Sequence, residues 1–125
     1  MRRRREDDGQ ATVELALVLP LVCLLFLALV QVAEVVYTQL VVVHAAREGV
    51  RAAAVDPNPA APAAAVYGGA PLDPLRTDVV VTDAGAGRVR VQVRHELATD
   101  VPLIGALMGD VDLSASAVMR VEHDG

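Results

Sequence analysis

The chain contains no Lys and no Trp, and among 125 residues it has one Cys, one Phe and two Tyr. A single cysteine, Cys23, excludes an internal disulfide and a thiolate zinc cluster. Leu21 and Val22 ahead of it are not the small residues that a lipoprotein cleavage site requires, so Cys23 reads as apolar packing. With few rings to stack bases and a formal net charge of −5, nucleic-acid binding is not expected. No nucleophile elbow, no phosphate-cradling Gly loop followed by Lys and no clustered metal ligands occur, so the expectation is a protein that is not an enzyme and takes no cofactor, metal or small-molecule substrate. His44 and Glu48 stand four apart, but no further His or Cys lies at ligand spacing, and they read as a solvated pair.

What is abundant is aliphatic. Hydrophobic residues make up 54% of the chain, and with so few rings the apolar volume comes from Val, Leu and Ala. All eleven basic residues are Arg. That bias is the codon usage of a GC-rich genome and suggests a bacterium of actinomycete type.

From Leu15 to Val30 no side chain is charged. With Val13, Val32 and Ala33 the run reaches about the twenty residues that cross hydrocarbon as a helix. Pro20 inside it is tolerable in a membrane helix and is expected to bend it or loosen one turn. Arg2 to Arg5 precede the span, and only Arg47 and Arg51 follow closely, which predicts a cytoplasmic N-terminus and an exported C-terminal part. Glu34 and Tyr37 then fall at the outer interface. A cleaved secretory signal is disfavoured, because Ala28 has Phe26 and Ala33 has Gln31 where a small residue should stand. Glu6, Asp7 and Asp8, directly after the Arg cluster, count against a twin-arginine signal.

One carboxylate, Glu14, sits at the mouth of the run. Alone it would be a side chain interacting with helix N–H groups and reaching water at the membrane edge. Combined with a basic leader and with Gly9 five residues earlier, it makes "G-Q-A-T-V-E-L" resemble the start of a type IV prepilin-like protein. More narrowly, Gly9 to Val55 resembles the TadE-like pseudopilins of the tight-adherence (Flp) pilus machinery, which carry a similar "G-x-A-x-V-E" start, a Pro in the apolar helix and an "A-A-R-E-G-x-R-A" run after it. The resemblance implies cleavage by a prepilin peptidase after Gly9, Gln10 as the new N-terminus, and Glu14 as the acidic group of assembly and recognition. It also implies partnership with other pseudopilins or pilins, with an inner-membrane secretion platform and with the lipid bilayer. Gln10 departs from the aromatic start of major pilins, which argues for a minor pseudopilin. Residues 10 and 14 are one helical turn apart and share a face, so an amine freed on Gln10 can meet the Glu14 carboxylate of its own or a neighbouring chain. The alternative is an uncleaved, signal-anchored module that binds a ligand outside the membrane.

The expected organisation is a leader over 1–9, a transmembrane helix over 10–36, an amphipathic continuation over 37–55, a Pro/Ala/Gly loop over 56–76 and a sheet region over 77–122. In the continuation Val42, Ala46, Gly49 and Ala53 lie within about 60° of one another on a helical wheel, opposite His44, Arg47, Glu48 and Arg51. Three strands are expected: a Val-rich run over Asp78 to Thr82, a strictly alternating Arg88 to Arg94, and Val111 to Glu122. A turn at Ala84 to Gly87 joins the first two. Val89, Val91 and Val93 should face inward with Val111, Leu113, Ala115, Ala117, Met119 and Val121, leaving Arg88, Arg90 and Arg94 in water. The expected class is α+β: a long N-terminal transmembrane and amphipathic helix packed with a small three-stranded antiparallel sheet, a pilin-like arrangement. The apolar stretch Val101 to Gly109 either closes the end of the sheet or forms a contact patch.

Overall fold

The computed structural model describes residues 3–122, with side-chain surroundings from residue 9 onward. The leader's Met1 and Arg2 lie outside the described residues. Helix α1 runs from Arg3–Val55 without interruption, about 80 Å at 1.5 Å per residue. Ala, Leu, Val, Arg and Glu fill it, and Pro20 is its only proline. The proline removes one N–H, leaving the carbonyl four residues earlier without its usual partner. From Gly9 to Phe26 every residue is exposed. This helix is a candidate membrane span, the one found among the described residues. A surface of bare Leu, Val and Phe this long has no stable state in water and needs an apolar solvent.

The distal part of α1 is the spine of a small sheet domain. Strands β1 (Thr77–Gly85), β2 (Arg88–Leu97) and β3 (Val111–Arg120) form an antiparallel sheet in the order β1-β2-β3. The Val79↔Val93↔Ala115 and Val81↔Val91↔Ala117 rows put these residues on one face, but Met119 at the strand's end is 40% exposed and Val121, expected in the strand, lies beyond β3, which ends at Arg120. Val91 and Val93 are wholly buried on that face, each worth about 1.5–3 kcal/mol. Arg88, Arg90 and Arg94 are exposed on the other face, as the alternation requires. The hairpin turn bends through Gly85, Ala86 and Gly87, all at positive φ, with the Asp83 carboxylate accepting from the Gly85 N–H at 2.7 Å.

One expectation needs correction. The stretch 56–76 is not a loop throughout: it holds a second helix, α2, over Ala61–Gly69. Pro62 stands in its first turn, where the missing N–H costs nothing, and Ala is the best helix former. The Asn58 side chain accepts from the Ala60 N–H at 3.0 Å and prepares the turn. Helix α2 packs on α1 and buries Val66 completely. That second neighbour also widens the buried face of α1 beyond the expected stripe: Ala45, Val50 and Ala54 are buried with Val42, Ala46 and Gly49, while Ala53 is only half-buried. A helix with a sheet on one side and a helix on another needs two apolar faces.

The sheet lies along α1 in parallel register with β3. The Gln39 side chain donates to the Ser114 carbonyl at 3.1 Å, and far along the helix the Glu122 N–H donates to the Ala54 carbonyl at 3.0 Å. The link between β2 and β3 contains a one-turn helix, α3 (Ile104–Met108).

Candidate functional site

The residues singled out at the N-terminal end lie on the bare part of α1. Gly9, Gln10 and Glu14 are helical and exposed, and nothing lies within 4 Å of where a Cβ on Gly9 would be. Gln10 and Glu14 are stacked one turn apart on the same side of the helix. Pro20, six residues beyond Glu14, is exposed on a different side. The structure thus brings Gln10 and Glu14 together and presents Gly9 to solvent or to another protein. It builds no pocket around them.

Among the described residues no group of three His, Cys, Asp or Glu side chains is placed to hold a metal. An open groove of about 590 Å³ on the outer side of the sheet is lined by side chains of both signs, among them Arg76, Asp78, Arg94, Glu96 and Asp112. Thr77 and His95 also line it.

Three buried polar residues, Gln31, Thr77 and His95, escaped sequence reading. Gln31, on the otherwise exposed part of α1, is only 2% exposed, and its Nε2 and Oε1 are buried without a hydrogen-bond partner. His95, 8% exposed, lies on the inner face of β2 beside Thr77. Thr77 Oγ1 lies 2.7 Å from the Asp73 carbonyl and 2.8 Å from His95 Nδ1. The carbonyl can only accept, so the Thr77 hydroxyl donates to it and Nδ1–H of the imidazole donates to the hydroxyl. The Tyr67 hydroxyl donates to the Thr77 carbonyl at 3.0 Å, tying α2 to the same corner. The alternation of β2 places residue 95 on the inward face, and that was the available signal.

Burial pushes the His95 pKa below the ordinary 6.5; Asp73 and Glu96 raise it in part, and Arg76 lowers it further. In the unfolded chain the imidazole takes up its proton near the ordinary value, while in the folded domain it stays neutral to lower pH. The unfolded state therefore binds more protons in that interval, and stability falls as pH drops from about 6.5 until the folded group also titrates. Chemical denaturation across this range should show that slope. His95→Asn, which keeps a donor near Nδ1, should flatten it; an unchanged slope would show that other groups set it.

The architecture defines a class: an α+β chain in which one apolar helix emerges from a candidate membrane span and becomes the spine of a small antiparallel sheet domain. Within that class, residues 9–51 match the family model described as TadE-like protein. That segment, similar to the TadE-like family, contains Gly9, Gln10, Glu14 and Pro20, together with Val42, Ala46 and Gly49 of the buried face. No curated protein and no solved structure matches the chain.

Proposed function

We propose that the protein is a TadE-like minor pseudopilin: a non-catalytic, single-pass subunit that supports assembly of a tight-adherence (Flp) pilus or a related secretion system in a bacterial inner membrane. Its N-terminus is cytoplasmic and its sheet domain extracytoplasmic. A prepilin peptidase removes the leader after Gly9, and the matured helix engages other pseudopilins or pilins and the inner-membrane secretion platform.

The supporting observation is the family match over residues 9–51 on a helix that presents Gly9, Gln10 and Glu14 with no covering side chain. The Gly9–Gln10 bond lies within helical backbone, and a protease groove needs it extended. Glycine is among the cheapest residues to unwind, so the helix is locally weak where the cut falls. Once cut, the chain begins with an ammonium group one turn from a carboxylate at the edge of the hydrocarbon. Neither charge is well tolerated there unless paired.

Mass spectrometry of the protein isolated from its own membranes tests the reading. A mature chain starting at Gln10, and a full-length one when Gly9 is replaced by a bulkier residue, is the expected result. An intact leader on the wild-type protein would overturn it in favour of an uncleaved, signal-anchored binding module.

A further inference from the structure

Outside α1 the four most exposed large apolar side chains are Leu75 at 95%, Leu107 at 84%, Met108 at 63% and Leu103 at 62%. They gather at one end of the sheet domain. The register Asp78↔Arg94↔Ser114 sets Leu75 and Val111 each three residues before a shared row, and Leu103, Leu107 and Met108 belong to α3 and its entry, just ahead of Val111. At the opposite end, around the hairpin, stand Arg88, Arg90 and Arg120, all exposed.

The level of that apolar end along α1 follows from the contact between Gln39 and Ser114. From Ser114 back to Val111 is three strand residues, about 10 Å. That equals six or seven helical residues at about 1.5 Å each, so Val111 lies beside about residue 32 or 33 of α1, and α3 lies beside the turn before it. Burial agrees. Gln31 is the one buried residue from 9 to 41, Leu27 and Ala28 are half-buried between exposed neighbours, and α3 is in contact with α1. The hydrocarbon-length run of α1 ends at about residue 33. The exposed side chains of the α3 loop therefore sit at the outer boundary of the membrane, continuous with the lipid-facing surface of the helix.

The loop is built to hold this shape. The Thr99 hydroxyl donates to the Gly109 carbonyl at 2.7 Å across its base, Gly105 packs on the Thr99 carbonyl so closely that no Cβ fits, and Gly109 adopts φ +68°. Its apolar side chains point away from this closed base. Asp100 and Asp110, both exposed, flank it. Charged ends of this kind suit a shallow interfacial segment, whose depth is about 5–10 Å.

We propose that this end of the sheet domain, the 101–109 loop with Leu75 beside it, is a second membrane contact that dips into the outer leaflet of the bilayer α1 crosses. The inference rests on the reading of α1 as a membrane span. Two points of attachment fix the tilt of the domain, so that the Arg-bearing hairpin points away from the membrane.

Spin labelling of the full chain in phosphatidylcholine vesicles tests it, with three label sites: native Cys23 in mid-span, Leu107→Cys and Ala86→Cys, the last two in a Cys23→Ala background. Collisions with oxygen, which concentrates in lipid, are compared with collisions with a water-soluble nickel chelate. The expected result is oxygen-dominated relaxation at 23 and 107 and nickel-dominated relaxation at 86, with Met108→Cys behaving as 107 does. A label at 107 as open to nickel as that at 86, while 23 remains in lipid, overturns the second contact and leaves the anchor standing. Water access at 23 overturns both. Dipolar coupling between labels at 107 on different copies, without oxygen preference, assigns the patch to self-association and also overturns the proposal.

Discussion

Gly49→Leu is expected to remove most of the stability of the sheet domain while leaving the apolar half of α1 helical. Gly49 lies where α1, α2 and β2 meet: a Cβ there would stand 2.9 Å from Val66 Cγ2 and 3.1 Å from Val91 Cγ1. Both valines are wholly buried, and a β-branched side chain has few rotamers in which to retreat. The single methyl of Gly49→Ala regains about 1 kcal/mol of helix propensity against overpacking of about 1–3 kcal/mol, so its net effect should be mild. Leucine has no such compensation. It forces α2 off the spine at a cost of about 3 kcal/mol or more, in a domain whose total stability is on the order of 5 kcal/mol. Thermal unfolding in detergent, followed by loss of the β signal and by protease sensitivity, should show the alanine form near the parent and the leucine form melting far below it. A leucine variant that melts with the parent would mean that α2 does not close on α1 at this point.

Glu14→Gln should leave the fold and membrane insertion unchanged and yet impair assembly. Glu14 touches nothing that holds the sheet domain together; it is exposed on the bare helix, twenty-eight residues before Val42, where the wholly buried core begins. Under the proposed function its partner is an ammonium group created by cleavage after Gly9, on the same chain or a neighbour. Glutamine keeps the size and can still hydrogen-bond, but it cannot neutralise a charge. Association with the other subunits should weaken by roughly five- to thirty-fold, the range that one polar contact between membrane helices is worth. Glu14→Asp, with the same charge on a shorter stem, should recover part of it. Co-purification of partner subunits from native membranes, with surface attachment as the cellular readout, measures both. Intact assembly and attachment in the glutamine variant would remove the role assigned to Glu14.

Much of the architecture was legible because its signals are periodic. The uncharged run from Leu15 to Val30 specifies a helix whose surroundings must be apolar. Strict alternation in Arg88 to Arg94 specifies a strand with one wet face, and the turn at Ala84 to Gly87 joins it to β1 as the glycines require. The segment 56–76 was harder to read because Pro and Gly usually punctuate helices, and here a proline opens one: the helical tendency of Ala61 to Ala65 prevails once Val66 finds a buried place between α1 and the sheet. The buried pair of Thr77 and His95 left only a trace, an inward position on a strand, since their partner is a backbone carbonyl that no sequence pattern records. The depth of Gln31 left none.

By itself, the order of residues determined the long apolar helix, the antiparallel meander, the inward valines and the Gly9, Gln10 and Glu14 constellation, because each depends on neighbours within a few positions along the chain. Only the tertiary structure decided that α2 closes the second side of the spine, that Gly49 is the point of closest approach, and that the 101–109 loop returns to the level of Gln31. Those features depend on distances between segments far apart in sequence, which packing sets and local periodicity does not encode.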